Sequence, residues 1–86
     1  MRVMVMQKLS GIITSSIKII SYSPLLMRFQ LTDRRQQKYN MLIHTHALRF
    51  FQEARPGSAL TALVRPNQRG QMVVRQFTVF NAEVLV

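Results

Sequence analysis

The chain of 86 residues has no cysteine, three acidic residues, three glycines and three prolines. Without cysteine there is no disulfide framework, so the core must suffice alone or be supplemented by a partner subunit. Nothing points to an oxidising compartment, and the expected location is the cytoplasm. The acids Asp33, Glu53 and Glu83 are scattered and offer no paired carboxylates for acid–base chemistry. Gly11, Gly57 and Gly70 are isolated, so no glycine-rich phosphate loop exists. No serine sits in a nucleophile-elbow context. Catalysis is therefore not expected. No apolar run approaches the ~18 residues of a membrane span, and Met1 to Val5 is too short for the apolar region of a signal peptide. Residues 1–32 hold no acid and several serines, as transit peptides do, but they alternate like strands.

Positive charge is abundant. Twelve Lys and Arg set the formal net charge at +9. A domain this basic suits a polyanion: DNA, RNA or an anionic membrane surface. Nine of the twelve cations are Arg, which makes bidentate phosphate contacts and stacks on bases. They are spread along the chain rather than gathered in a basic tail, so they belong to a folded surface. A hydrophobic content of 48% is ordinary for one globular domain, here 1–86.

Period-two alternation dominates the pattern. Val3 to Ile20 carries two apolar bursts around Gly11, where a strand bends or bulges. It reads as one long bent strand, or as two strands joined around Thr14 to Ser16. Leu25 to Thr32 alternates Leu25, Met27, Phe29 and Leu31 with Arg28, Gln30 and Thr32, which is a strand with one wet face. After the polar Asp33 to Lys38, the next strand spans Tyr39 to His46, with Tyr39, Met41 and Ile43 inward. Ala47 to Ala54 breaks the period and places Ala47, Phe50, Phe51 and Ala54 on one helical face. Thr45 or His46 lies near its N-cap, and Arg55-Pro56-Gly57 stops it. Ala59 to Phe80 reads as a hairpin whose turn holds Pro66, Asn67 and Gly70. Val73, Phe77 and Val79 alternate there with Val74, Gln76 and Thr78. Asn81 to Val86 continues the last strand. The methionines, Met4 and Met72 among them, are core or interface filler.

Five strands with a helix between the third and fourth is the order of the OB-fold barrel, an all-β architecture with one short helix. Ligands there lie on the second and third strands, between the first and last inter-strand loops. That face holds Arg28, Gln30 and His44. Lys18 and Tyr22 lie in or beside the first loop. Arg65, Arg69 and Arg75 lie on and beside the last turn, while Arg34, Arg35 and Lys38 flank the face. His44 and His46 would point to one side of a strand, as surface histidines or as contacts to bases. With no cysteine and no third ligand nearby, no metal or other cofactor is expected.

Several short patterns carry a family resemblance: Leu9-Ser10-Gly11, then Phe29 to Leu31, Gly57-Ser58 and Ala82-Glu83. In this order they resemble the bacterial single-stranded DNA-binding proteins, most closely the primosomal replication protein N (PriB) branch. The resemblance implies a dimeric or tetrameric OB-fold and sequence-tolerant single-strand binding in replication or replication restart. It also implies an aromatic contact near Tyr39. The chain departs from the family in having no tryptophan, on which such proteins often stack bases. It also has no acidic C-terminal tail, a feature the primosomal branch lacks too.

The expected function is therefore non-catalytic, sequence-tolerant binding of single-stranded DNA, with the chain in a homodimer or higher oligomer and with replication proteins as possible partners. The alternatives are an RNA-binding OB module and a structural subunit docking an acidic protein.

Overall fold

The structure, a computed structural model, describes residues 5–81. Its elements are β1 (Gln7–Ile13), β2 (Lys18–Tyr22), β3 (Leu25–Thr32), β4 (Lys38–Ile43), α1 (Ala47–Glu53), β5 (Ala59–Pro66) and β6 (Met72–Phe80). No helix among the described residues is long and apolar enough to cross a membrane.

Both β1 and β2 run antiparallel to β3, through Ile12↔Thr32 and Ile13↔Leu31 for β1 and Lys18↔Arg28 for β2. They are the two halves of one long first strand, interrupted at 14–17. Counted so, five strands close into a barrel. β3 pairs with β4, β4 runs parallel to β6, β6 pairs with β5, and β5 returns to β1. With α1 between the third and fourth strands this is the OB-fold topology expected from the pattern. Gly11 lies inside β1, just before the strand passes from its pairing with β5 to its pairing with β3, and the close approach there needs a glycine. A Cβ there would sit 2.4 Å from the Thr32 carbonyl oxygen, a contact no side chain tolerates.

Inward positions of every strand fill the barrel: Leu9, Ile13, Met27, Phe29, Leu31, Met41, Ile43, Leu60, Ala62, Val64 and Val74. A seven-residue helix is too short to hold itself together in water. Packing holds α1 instead. Phe50 is fully buried, stacked on Phe29 at 4.8 Å and edge-on to Phe77 at 5.3 Å between ring centroids. Burying such a ring stabilises by about 1.5–3 kcal/mol. His46 is the N-cap, in the left-handed region at φ 55°, with no side-chain cap bond. After the helix, Arg55 N–H donates to Ser58 Oγ, Ser58 Oγ donates to Asn81 Oδ1, and Asn81 Nδ2 donates to the Glu53 carbonyl. These bonds tie the helix end to the end of β6.

Four details differ from the sequence pattern. Phe51 is exposed rather than part of the plug, because the face that meets the barrel is Ala47, Phe50 and Ala54. His44 and His46 do not share a strand face, since β4 ends at Ile43 and His46 caps the helix. In β6 a bulge inserts one extra residue: Leu63 faces Gln76 but Val64 faces Val74, leaving Arg75 between. The bulge brings Val74 inward with Phe77 and Val79, while Val73 lies on the opposite face of β6, where it is also buried. Finally, Asn81, expected to continue the last strand, lies outside β6, which is described from Met72 to Phe80. The expected strand tail at 82–86, the Ala82-Glu83 pattern and Met4 lie outside the described residues.

Candidate nucleic-acid interface

Residues directly opposed across a sheet share one face. The registers Lys18↔Arg28, Arg28↔Leu42, Leu42↔Val73 and Val73↔Arg65 therefore form one continuous row across β2, β3, β4, β6 and β5. At about 4.8 Å per strand the row spans roughly 19 Å. Its first two members and its last are cations, and its middle is apolar.

A second row, Gln30↔Asn40, lies two residues along the same outward face. Between the two rows is a groove of about 250 Å³ lined by Ser15, Ser16, Lys18, Arg28, Phe29, Gln30, Asn40 and Gln71. Arg28 and Gln30 share the outward face as the alternation implied, and Lys18, expected in or beside the first loop, joins them from the start of β2. Ser15, Ser16, Asn40 and Gln71 were not singled out by the sequence. Asn40 was legible as an outward residue, but nothing local marks Gln71, which reaches the groove only because β6 lies parallel to β4.

Two loops flank this face, and they are built alike. In the β3–β4 loop, Asp33 Oδ1 accepts the N–H groups of Arg35 and Gln37, both at 2.9 Å. In the β5–β6 loop, Asn67 Oδ1 accepts those of Arg69 at 3.0 Å and Gln71 at 2.9 Å. Each loop closes with a backbone bond from its first N–H to the carbonyl four residues on, Asp33 to Gln37 and Asn67 to Gln71. Each has its fourth residue at positive φ, Gln36 at 67° and Gly70 at 76°. Each carries an arginine third. Because β4 and β6 are parallel and Met41 faces Met72, both loops emerge at the same end of the barrel. The β3–β4 loop projects three residues further, about 10 Å.

The remaining expected residues spread around this core. Arg34, Arg35, Lys38, Arg69, His44 and Arg75 are exposed on the two loops, the ends of β4 and the β6 bulge. Tyr22 is exposed beside the β2–β3 turn, at the opposite end of β3 from the Asp33 loop. Tyr39 does not share the outward face of Gln30 and Asn40. Its ring packs against the core, and its hydroxyl donates to Asp33 Oδ2 at 3.3 Å. Desolvation, and then the Asp33 carboxylate, push the Tyr39 phenol above its ordinary pKa.

Neither described acid lines the groove. Asp33 is committed to its own loop and to Tyr39. Glu53 lies 3.8 Å from Arg49, which also stacks 4.6 Å above Phe77. Among the described residues no cluster of His, Cys, Asp and Glu has the makings of a metal site.

No protein-family model matches the chain, and no curated protein matches it. Solved structures do. The mitochondrial single-stranded DNA binding protein Rim1 from S. cerevisiae superposes with a TM-score of 0.76 at 12% identity, covering 95% of this chain and 100% of that one. A second crystal form gives 0.74 at 16% identity, covering 94% and 100%. Over nearly its whole length, the chain therefore has the fold of these mitochondrial proteins.

Proposed function

We propose that the protein binds single-stranded DNA on the outward face of β2, β3 and β4, without catalysis and in the service of replication or replication restart. The observation that carries this reading is the groove itself. It is cationic at Lys18 and Arg28, otherwise lined by neutral side chains, and neither described acid is part of its lining. The shared fold with a single-stranded DNA binding protein supports it. The two arginine-bearing loops extend the positive surface beyond the groove and supply phosphate contacts from Arg34, Arg35, Lys38 and Arg69. Tyr22 and His44 stand at the edges as exposed rings for stacking. Tyr39 acts from below, by holding the Asp33 loop.

A homodimer or higher oligomer fits the same picture. Ile12 and Phe80 are exposed on neighbours of Ala59, in one row of the β1–β5–β6 face. Such a row suits a subunit contact. The primosomal branch of the bacterial family is the subgroup that the short sequence patterns favour, and the cytoplasm is the matching compartment.

Fluorescence anisotropy with labelled dT and rU oligomers over a salt series tests the proposal. Neutralising about four to six phosphates gives a slope of log K against log salt of about −3 to −4 for a single strand. A slope near zero, or tighter binding of duplex than of single strand, overturns it. The rU arm decides between DNA and RNA.

A further inference from the structure

The groove holds a hydroxyl that strand binding leaves unused. The interruption between β1 and β2 carries Thr14, Ser15 and Ser16 in succession. Thr14 Oγ1 is hydrogen-bonded to Gln30 Oε1 at 3.1 Å and lies 2.7 Å from the Thr32 hydroxyl. Ser15 Oγ accepts the Gln30 N–H at 2.8 Å and donates to the Ser16 carbonyl at 2.9 Å. Ser16 Oγ has no hydrogen-bond partner among the described residues, and Ser16 is exposed. It lines the groove with Lys18 and Arg28, which oppose each other across β2 and β3. Strand pairing is absent at 15–17, because β1 leaves β3 at Ile13 and β2 joins it at Lys18. The segment can therefore engage a modifying enzyme without opening a strand ladder. Neither described acid lines the groove, so no carboxylate there already occupies its two cations.

From this placement we propose that Ser16 is a phosphorylation site, and that its phosphate closes the groove by taking the place of a strand phosphate. The inference rests on the nucleic-acid reading above. The donor is a nucleoside triphosphate and the transfer is the work of a protein kinase. Ser16 Oγ forms a bond to the γ-phosphorus, the bond from that phosphorus to the β,γ-bridging oxygen breaks, the hydroxyl proton passes to a base, and nucleoside diphosphate leaves. Modifying Ser15 or Thr14 would break the bonds that each makes to Gln30, whereas modifying Ser16 breaks none. A phosphoserine carries a charge of about −1.5 to −2 at neutral pH and three acceptor oxygens. Placed beside Lys18 and Arg28 it makes charge-assisted hydrogen bonds of the kind a nucleic-acid phosphate would make. Being tethered, it competes at a high effective concentration.

The test installs phosphoserine at position 16 of the full chain during synthesis and measures anisotropy with labelled dT oligomers over a salt series. With both cations taken, affinity should fall by about 25-fold or more at 0.1 M salt and the slope should shrink by about 1.4. Alkaline phosphatase should restore both values, which a misfolded product would not allow. Phosphoserine at Ser10, an exposed residue of β1 outside the groove lining, is the control for net charge and should change affinity by less than about threefold. A second arm treats the unmodified chain with ATP, magnesium ion and a panel of serine/threonine kinases. Peptide mapping should find phosphate on Ser16 ahead of Thr14 and Ser15, and Ser16→Ala should remove the effect of the treatment on binding. Wild-type affinity with phosphate on Ser16, an equal loss from Ser10, a loss that phosphatase does not reverse, or phosphate that maps to Thr14, to Ser15 or to none of the three overturns the inference and leaves single-strand binding standing. If the unmodified chain does not bind dT at all, the proposed function itself fails.

Discussion

Removing the two groove cations together, Lys18→Ala with Arg28→Ala, isolates the row that the barrel assembles. The residues face each other across β2 and β3, and both are exposed. Each phosphate contact on a single strand contributes about 0.7 to the salt slope, which at 0.1 M salt is about fivefold in affinity from counterion release. Two contacts give about 25-fold, and the slope should shrink by about 1.4. Neither side chain fills the core, so the cost to stability should stay under about 0.5 kcal/mol for each. The matched control is Lys8→Ala with Arg55→Ala, the same charge loss on β1 and beyond the helix. Charges farther than a Debye length, about 10 Å at 0.1 M, are largely screened, so the control should change affinity by less than about threefold. Anisotropy titrations with labelled dT oligomers between 50 and 400 mM salt, on the order used to resolve such slopes, measure both quantities. Equal losses in the two double variants would mean that net charge does the binding and the groove is no site. Full affinity in the groove variant would remove the interface from β3 altogether.

Three stability predictions test the architecture around the site. Gly11→Ala forces a Cβ onto the Thr32 backbone, so unfolding in urea should show a loss of about 1–3 kcal/mol or more; a midpoint like wild type would contradict the close approach at the barrel corner. Gln36→Gly relieves a left-handed residue in the Asp33 loop and should gain about 1 kcal/mol, or about 4–8 °C in Tm for a domain of this size. Tyr39 binds its proton more tightly folded than unfolded, so its contribution is fully present below the unfolded phenol value of about 10 and is lost as pH rises through the higher folded value. The Tm of the wild type should therefore fall more steeply above pH ~10 than that of Tyr39→Phe, and parallel curves would count against the Asp33 contact.

Local signals in the sequence determined much of this protein. Alternation marked the strands and the change of period at Ala47 marked the helix, because side-chain direction is a property of neighbouring residues. They also placed Arg28 and Gln30 on a wet face and Lys18 beside it. What the sequence left open depends on pairing between distant segments. The bulge at Arg75 reversed the facing of Val73 and Val74, and no residue near it announces the slip. Phe50 and Phe51 are both apolar, and only the direction from which the barrel mouth meets α1 decides which of them is buried. Tyr39 belongs to the inward set by alternation, and the Asp33 contact that holds its hydroxyl needs the β3–β4 hairpin closed. Gln71 joins Gln30 in one groove because β4 and β6 pair in parallel across a separation of some thirty residues. Parallel register is set by closure of the whole barrel, so the groove exists only in the folded chain, while the charge it gathers is written along the sequence.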